Sequence, residues 1–170
     1  MGSAQSATAD FTTTARSGDE PLADLLYDAF YGAAVGGSTI AIFFLVVDLI
    51  AGHPLFTPSL IGTVLVTGAD AAAVTEVRLD MVAYFSAAHF GSFLALGAVV
   101  SLMCRWTGLS KTSPRAVVAV VFTLLTAGFL VGGRLLIPGV GAVIGLPAIL
   151  AANLVTAFSM AAFLKWAHEE

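Results

Sequence analysis

GHPLFTPSLIGTVLV, residues 52–66, is an apolar stretch with two prolines that lies between longer apolar segments. As an α-helix, its last twelve residues would extend only about 18 Å, which is too short for a hydrocarbon core of about 30 Å. Thr57 followed by Pro58 predicts a helix start, because threonine often caps a helix and proline suits the first helical position. The sequence therefore predicts a short half-helix at 58–67 on the external side, lying in the outer leaflet or against the bundle or a partner.

The composition of the whole chain indicates a membrane protein. Of its 170 residues, 58% are hydrophobic and 11% are charged, with a mean hydropathy of +0.95. A soluble domain carries about 25% charged residues, so an ordinary soluble fold is excluded. The net charge is −4 and no run of Lys or Arg occurs, so nucleic acid is not an expected partner.

Four segments are apolar and long enough to cross a bilayer as helices. They are residues 30–51, 81–103, 116–137 and 146–166. Residues 20–29 predict an amphipathic lead-in, residues 138–147 an uncharged hairpin, and residues 1–19 a disordered cytoplasmic tail. The predicted fold is an all-α, four-helix transmembrane bundle over residues 20–170, with an amphipathic N-terminal lead-in and the short external half-helix.

Basic residues flank the predicted spans unequally. One side of the membrane receives Arg16, Arg105, Lys111, Arg115 and Lys165. The other side receives Arg78, since Arg134 lies within a span. Cytoplasmic loops carry an excess of Lys and Arg, so we expect both termini in the cytoplasm and the half-helix outside.

Four polar residues within the spans form a predicted intramembrane cluster. They are Asp48, His89, Arg134 and Asn153. Asp48 and Arg134 each lie about one turn before the outer end of a span, and a lone charge in hydrocarbon costs about 2.5–3.5 kcal/mol. We therefore expect an ion pair between them, which would fix the order of the helices. The alternative is that each charge reaches the outer surface separately. The positive N-terminus of the half-helix would also lie near Asp48, which can then accept hydrogen bonds from it.

The histidines do not predict a haem site. A b-type haem in a helix bundle needs two histidines at matching depth. His53 lies near the outer surface and His168 near the C-terminus, so His89 has no such partner and is expected to hydrogen-bond between helices. The sequence contains no metal-ligand cluster, catalytic triad or phosphate loop, and it predicts no catalytic residue and no identifiable cofactor.

Residues 48–62, DLIAGHPLFTPSLIG, resemble a G-[HR]-P-L-F-T-P-S-type motif of a family of small bacterial four-helix integral membrane proteins. Ala88-His89-Phe90 belongs to the same pattern. The resemblance covers most of the four-span region and implies a multi-pass protein of the bacterial inner membrane. That family has no established activity, so the resemblance implies an architecture and no catalytic residues.

Three functional hypotheses follow from the sequence. The leading one is a structural or accessory subunit of a larger inner-membrane assembly, with lipid and other membrane subunits as partners and no catalysis of its own. The second is a small transporter or channel whose outward-facing cavity is lined by the predicted cluster. The third is a haem- or quinone-binding redox protein. In each case the external segment with His53, Pro54, Thr57 and Pro58 is the first candidate for a functional surface.

Overall fold

A computed structural model describes residues 20–108 and 113–167. In these ranges the chain forms six α-helices, one 3₁₀ helix and no strand, which confirms the all-α prediction. The elements are α1 (Glu20–Ile50), α2 (Phe56–Thr67), the 3₁₀ helix (Ala71–Ala73), α3 (Leu79–Thr107), α4 (Pro114–Leu136), α5 (Val140–Ile144) and α6 (Leu146–Ala167). The predicted tail at 1–19 lies outside the described residues.

Four of these helices, α1, α3, α4 and α6, are long and apolar enough to cross a membrane. Large apolar side chains such as Ile50 and Leu135 are exposed on them, as expected for surfaces that contact lipid. The chain is thus a multi-pass helical membrane protein. The predicted lead-in at 20–29 is the first part of α1, because the helix continues without interruption to Ile50. Gly52, just after its end, has a φ of 84°.

Three short helices lie together at one end of the bundle. We call α2, the 3₁₀ helix and α5 the cap layer, and the opposite end of the bundle, where Glu20 and Ala167 lie, the far end. The cap layer has its own small apolar core of Leu60, Val64, Ala71 and Val140. The predicted half-helix is α2, which begins at Phe56, and the predicted hairpin at 138–147 contains α5.

A second, larger core fills the far end of the bundle. It joins side chains from all four spans: Ala33, Phe93, Val100, Cys104, Val117, Val121, Ala157, Met160, Ala161 and Leu164. Small residues allow the close approach. A Cβ at Gly97 would lie 2.5 Å from the carbonyl oxygen of Ala29, and both Phe93 and Met160 lie against Gly36. The far end is therefore packed like a helical membrane interface.

The spans follow one another across the bundle in the order α3, α1, α6, α4. Helix α1 packs on both α3 and α6, whereas α4 packs on α6. The buried residues of α4, Val117 and Val121, both lie in its first half. In the second half of α4, toward the cap layer, no side chain is buried.

Helix α2 is fixed to the beginning of α3 by a close backbone contact and by one serine. A Cβ at Gly62 would overlap the carbonyl oxygen of Met81. The buried hydroxyl of Ser59 accepts a 2.7 Å hydrogen bond from the N–H of Arg78 and lies 3.5 Å from the carbonyl oxygen of Glu76. These contacts hold α2 on the bundle, so it is packed on the spans rather than lying free in the interface.

We predict that Gly62→Ala lowers the free energy of unfolding by about 2 kcal/mol, because the methyl group would push α2 away from α3. Gly91→Ala on α3 is the control, since a Cβ there meets open space. That variant should be neutral or stabilising by up to about 1 kcal/mol, as alanine favours a helix over glycine. Unfolding in mixed micelles of mild detergent and SDS measures both. Equal effects would contradict the close α2–α3 approach.

Candidate functional site

Asp48, at the end of α1, caps the N-terminus of α2. The side chain is 3% exposed, and its Oδ2 accepts a 2.7 Å hydrogen bond from the backbone N–H of Thr57. Its Oδ1 accepts a second 2.7 Å hydrogen bond from the Thr57 hydroxyl. The first turn of a helix has N–H groups without partners and a positive dipole end, so a carboxylate there is stabilising. The expectation that Asp48 accepts hydrogen bonds from this N-terminus is confirmed.

The predicted ion pair between Asp48 and Arg134 is wrong. Both carboxylate oxygens of Asp48 are bonded to Thr57, and Arg134 is exposed on α4. The two residues lie near the same level of the bundle, but α1 packs on α3 and α6 while α4 packs on α6. Equal depth therefore did not make them neighbours.

Thr57 does not cap α2 as the sequence predicted. The N-cap residue is Leu55, whose side chain is apolar and whose φ is 66°. A left-handed conformation costs a residue with a Cβ about 1–2 kcal/mol, so the surrounding structure must hold this turn in place. On one side of the turn, Thr57 donates its two hydrogen bonds to the carboxylate of Asp48. On the other side, the ring of His53 packs against Phe56, with 5.0 Å between the ring centroids.

A cleft of about 680 Å³ opens between the cap layer and the far-end core. It is bounded by α1 and α3 on one side, by α4 and α6 on the other, and by α2 above. Apolar side chains provide nearly all of its wall, including Ile40, Phe44, Leu55, Ile61, Phe85, Phe93, Leu125, Phe129 and Ile149. No charged residue is among the lining residues in the part of the chain that the structure describes. The second half of α4, whose side chains are not buried, forms one wall of the cleft.

Two residues of the predicted cluster, His89 and Asn153, line this cleft. The Nε2 atom of His89 lies 3.0 Å from the carbonyl oxygen of Gly37, so the histidine links α3 to α1 as expected. Asn153 is 4% exposed, and its amide donates a 3.3 Å hydrogen bond to the hydroxyl of Thr126 on α4. Asp48 and Arg134 are not among the lining residues.

Of the external segment, Thr57 and Pro58 line the cleft, whereas His53 and Pro54 are exposed. Leu55 also lines the cleft, so the left-handed turn at this residue forms part of the cleft wall. The segment is thus partly a surface loop and partly the upper wall of a cavity. The sequence left open whether the half-helix lies in the outer leaflet, against the bundle or against a partner.

The sequence analysis missed an ion pair at the far end. Asp28 of α1 is 5% exposed, and its Oδ2 lies 3.7 Å from Nη2 of Arg105 near the end of α3, whose side chain is 30% exposed. A carboxylate in the first turns of one span and a basic residue in the last turn of an antiparallel span were the available signal. The pair joins α1 to α3, and because Arg105 is partly exposed its contribution to stability is small.

The described residues contain no group of three or more His, Cys, Asp or Glu that could hold a metal ion. The histidines at 53 and 89 lie apart, because one contacts Phe56 at the cap layer and the other bonds to Gly37 in mid-bundle. No protein-family model, curated protein or solved structure matches the chain.

We predict that Asp48→Ala lowers the free energy of unfolding by about 2–3 kcal/mol, since it removes two hydrogen bonds to a charged acceptor at a buried site. Thr57→Ala should lower the free energy of unfolding by a smaller amount, about 1–2 kcal/mol, because only the hydroxyl bond is lost. The backbone N–H of residue 57 keeps its hydrogen bond to Asp48. The double variant should cost less than the sum of the two single variants. Unfolding in mixed micelles gives the three values.

Arg134→Gln is the matched control for this cycle. It should change the free energy of unfolding by less than about 0.5 kcal/mol, as expected for an exposed residue. A loss at Arg134 equal to that at Asp48, with no coupling between Asp48 and Thr57, would restore the ion-pair hypothesis.

Proposed function

We propose that this protein is a non-catalytic membrane component that holds a neutral, largely apolar molecule in the cleft between its two cores. The cleft itself is the observation that carries the proposal. Its volume of about 680 Å³ lies within the range of about 300–1,000 Å³ that is typical of small-molecule sites. An apolar wall with a few polar groups is also typical of such sites.

The source of the molecule is the lipid phase. The lining residues of α1, α3, α4 and α6 lie within the apolar spans, so the cleft is at the depth of the hydrocarbon. Gly128 and Gly132 lie on the part of α4 that borders the cleft, and a Cβ at either position would meet open space. A molecule dissolved in the bilayer can therefore enter beside α4 without crossing a polar surface.

The other hypotheses remain predictions that the cleft does not favour. Transport of a charged solute would require charges in the cavity, and the described lining residues provide none. A b-type haem in a bundle needs a second histidine at the depth of His89, and His53 lies at the cap layer instead. An accessory role in a larger assembly is compatible with the binding role, because the protein would then present the bound molecule to the other subunits.

We predict that the wild-type protein, purified in mild detergent, retains a neutral lipid that mass spectrometry detects at near one molecule per chain. Gly132→Phe should lower the retained amount about tenfold or more, because the ring would fill space that the molecule occupies. Ala127→Phe, which adds the same ring to an exposed position of α4 outside the lining, should leave the amount unchanged. Equal amounts in Gly132→Phe and wild type would refute the proposal.

We further propose that the protein lies in the bacterial inner membrane with both termini in the cytoplasm. The support is the excess of basic residues at the far end, with Arg105 and Arg115 in the described part of the chain. The cap layer, which carries Asp70 and Glu76 on or beside it, then faces outward.

Cysteine labelling tests this orientation in a Cys104→Ala background. Ala72→Cys, at an exposed position of the 3₁₀ helix, should react with a membrane-impermeant maleimide in intact spheroplasts. Thr107→Cys, exposed at the far end, should react only after permeabilisation. The reverse pattern would mean that the termini are external.

A further inference from the structure

We propose that the cleft selects a molecule whose polar head donates a hydrogen bond, namely a neutral alcohol on an apolar body, and that the head binds Nδ1 of His89. This inference rests on the proposed binding function and specifies the chemistry of the ligand. Two observations carry it: the tautomer that the surroundings of His89 impose, and the hydrogen bonds already made by the hydroxyl groups that line the cleft.

The surroundings of His89 determine which ring nitrogen carries the proton. A carbonyl oxygen can only accept, so the 3.0 Å contact with Gly37 requires the proton to be on Nε2. In a neutral imidazole, Nδ1 then has a lone pair and no proton. The ring is held by three phenylalanines, Phe85, Phe90 and Phe93, with centroid distances of 4.9–5.3 Å. Within residues 20–108 and 113–167, no hydrogen bond is made to Nδ1.

The hydroxyl groups that line the cleft have already used their protons within the protein. Ser86 and Ser92 donate to the carbonyl oxygens of Val82 and Ala88, each at 2.8 Å. Thr57 donates to Asp48 at 2.7 Å. These hydroxyls, like His89, therefore offer lone pairs to the cleft, and a ligand head must supply the proton for any bond to them.

Other polar head groups fit this wall less well than a hydroxyl group does. A hydroxyl group can donate its proton to Nδ1 of His89. A ketone or quinone carbonyl could only accept and would leave Nδ1 unpaired in an apolar site, at a cost. A carboxylate or phosphate would meet no cation among the described lining residues.

A matched pair of probes tests the proposal: tritiated hexadecan-1-ol and its methyl ether, which has the same chain but cannot donate. Binding to the full-length protein in mild detergent is measured by scintillation proximity. Wild type should bind the alcohol about tenfold more tightly than the ether, the value of one hydrogen bond at a buried site. In His89→Phe the ratio should fall to about one, while binding of the ether stays within about threefold of wild type.

Tyr84→Phe is the control, because it removes a hydroxyl from an exposed position of α3 outside the cleft and should keep the tenfold ratio. A ratio near one in wild type, with both probes bound, would overturn the alcohol assignment and leave the cleft as a binding site. Binding of neither probe to wild type, together with no retained lipid, would overturn the proposed function and this inference together.

Nitrogen-15 NMR of histidine-labelled wild type covers the case in which His89→Phe does not fold. The Nδ1 resonance of His89, assigned with His53→Gln and His168→Gln variants, should move upfield when the alcohol is added and stay in place with the ether. An unchanged Nδ1 resonance at saturating alcohol would overturn the proposal.

Discussion

The paired hydrogen bonds between Asp48 and Thr57 are the constraint on which the rest of this structure depends. They join the end of the first span to the beginning of α2 and satisfy a carboxylate that would otherwise be an unpaired charge near the hydrocarbon. They also stabilise the left-handed turn at Leu55, which no side-chain cap supports. With this turn in place, α2 lies across the bundle and its apolar side chains form the upper wall of the cleft.

The cleft exists because the protein has two cores instead of one continuous core. The far-end core joins all four spans through small residues, whereas the cap-layer core joins three short helices. Between them, α4 packs on α6, and its second half borders the cleft. In water such an apolar opening would close or attract a partner, but in a membrane lipid can fill it at little cost. A cavity of this kind is therefore stable in a lipid bilayer, which is the environment that the apolar composition of the chain fits.

The polar groups of the cleft are few, and each is held by the protein's own backbone or side chains. His89 bonds to Gly37, Asn153 to Thr126, and the lining hydroxyls to carbonyl or carboxylate oxygens. Such internal bonding is what allows polar residues to lie at hydrocarbon depth. It also leaves the cleft wall with a defined pattern of remaining acceptors and donors, and that pattern gives the site its chemical preference.

The sequence by itself determined the fold class, because four long apolar segments can be satisfied in a membrane only as helices. It also indicated the half-helix after the first span, through the length and prolines of residues 52–66. Only the tertiary structure decided which spans are neighbours. Depth along a helix follows from residue numbers, but azimuth and helix order depend on packing of side chains such as Met160 against Gly36. For that reason Asp48 meets Thr57 and not Arg134, Asp28 meets Arg105, and His89 and Asn153 line one cleft.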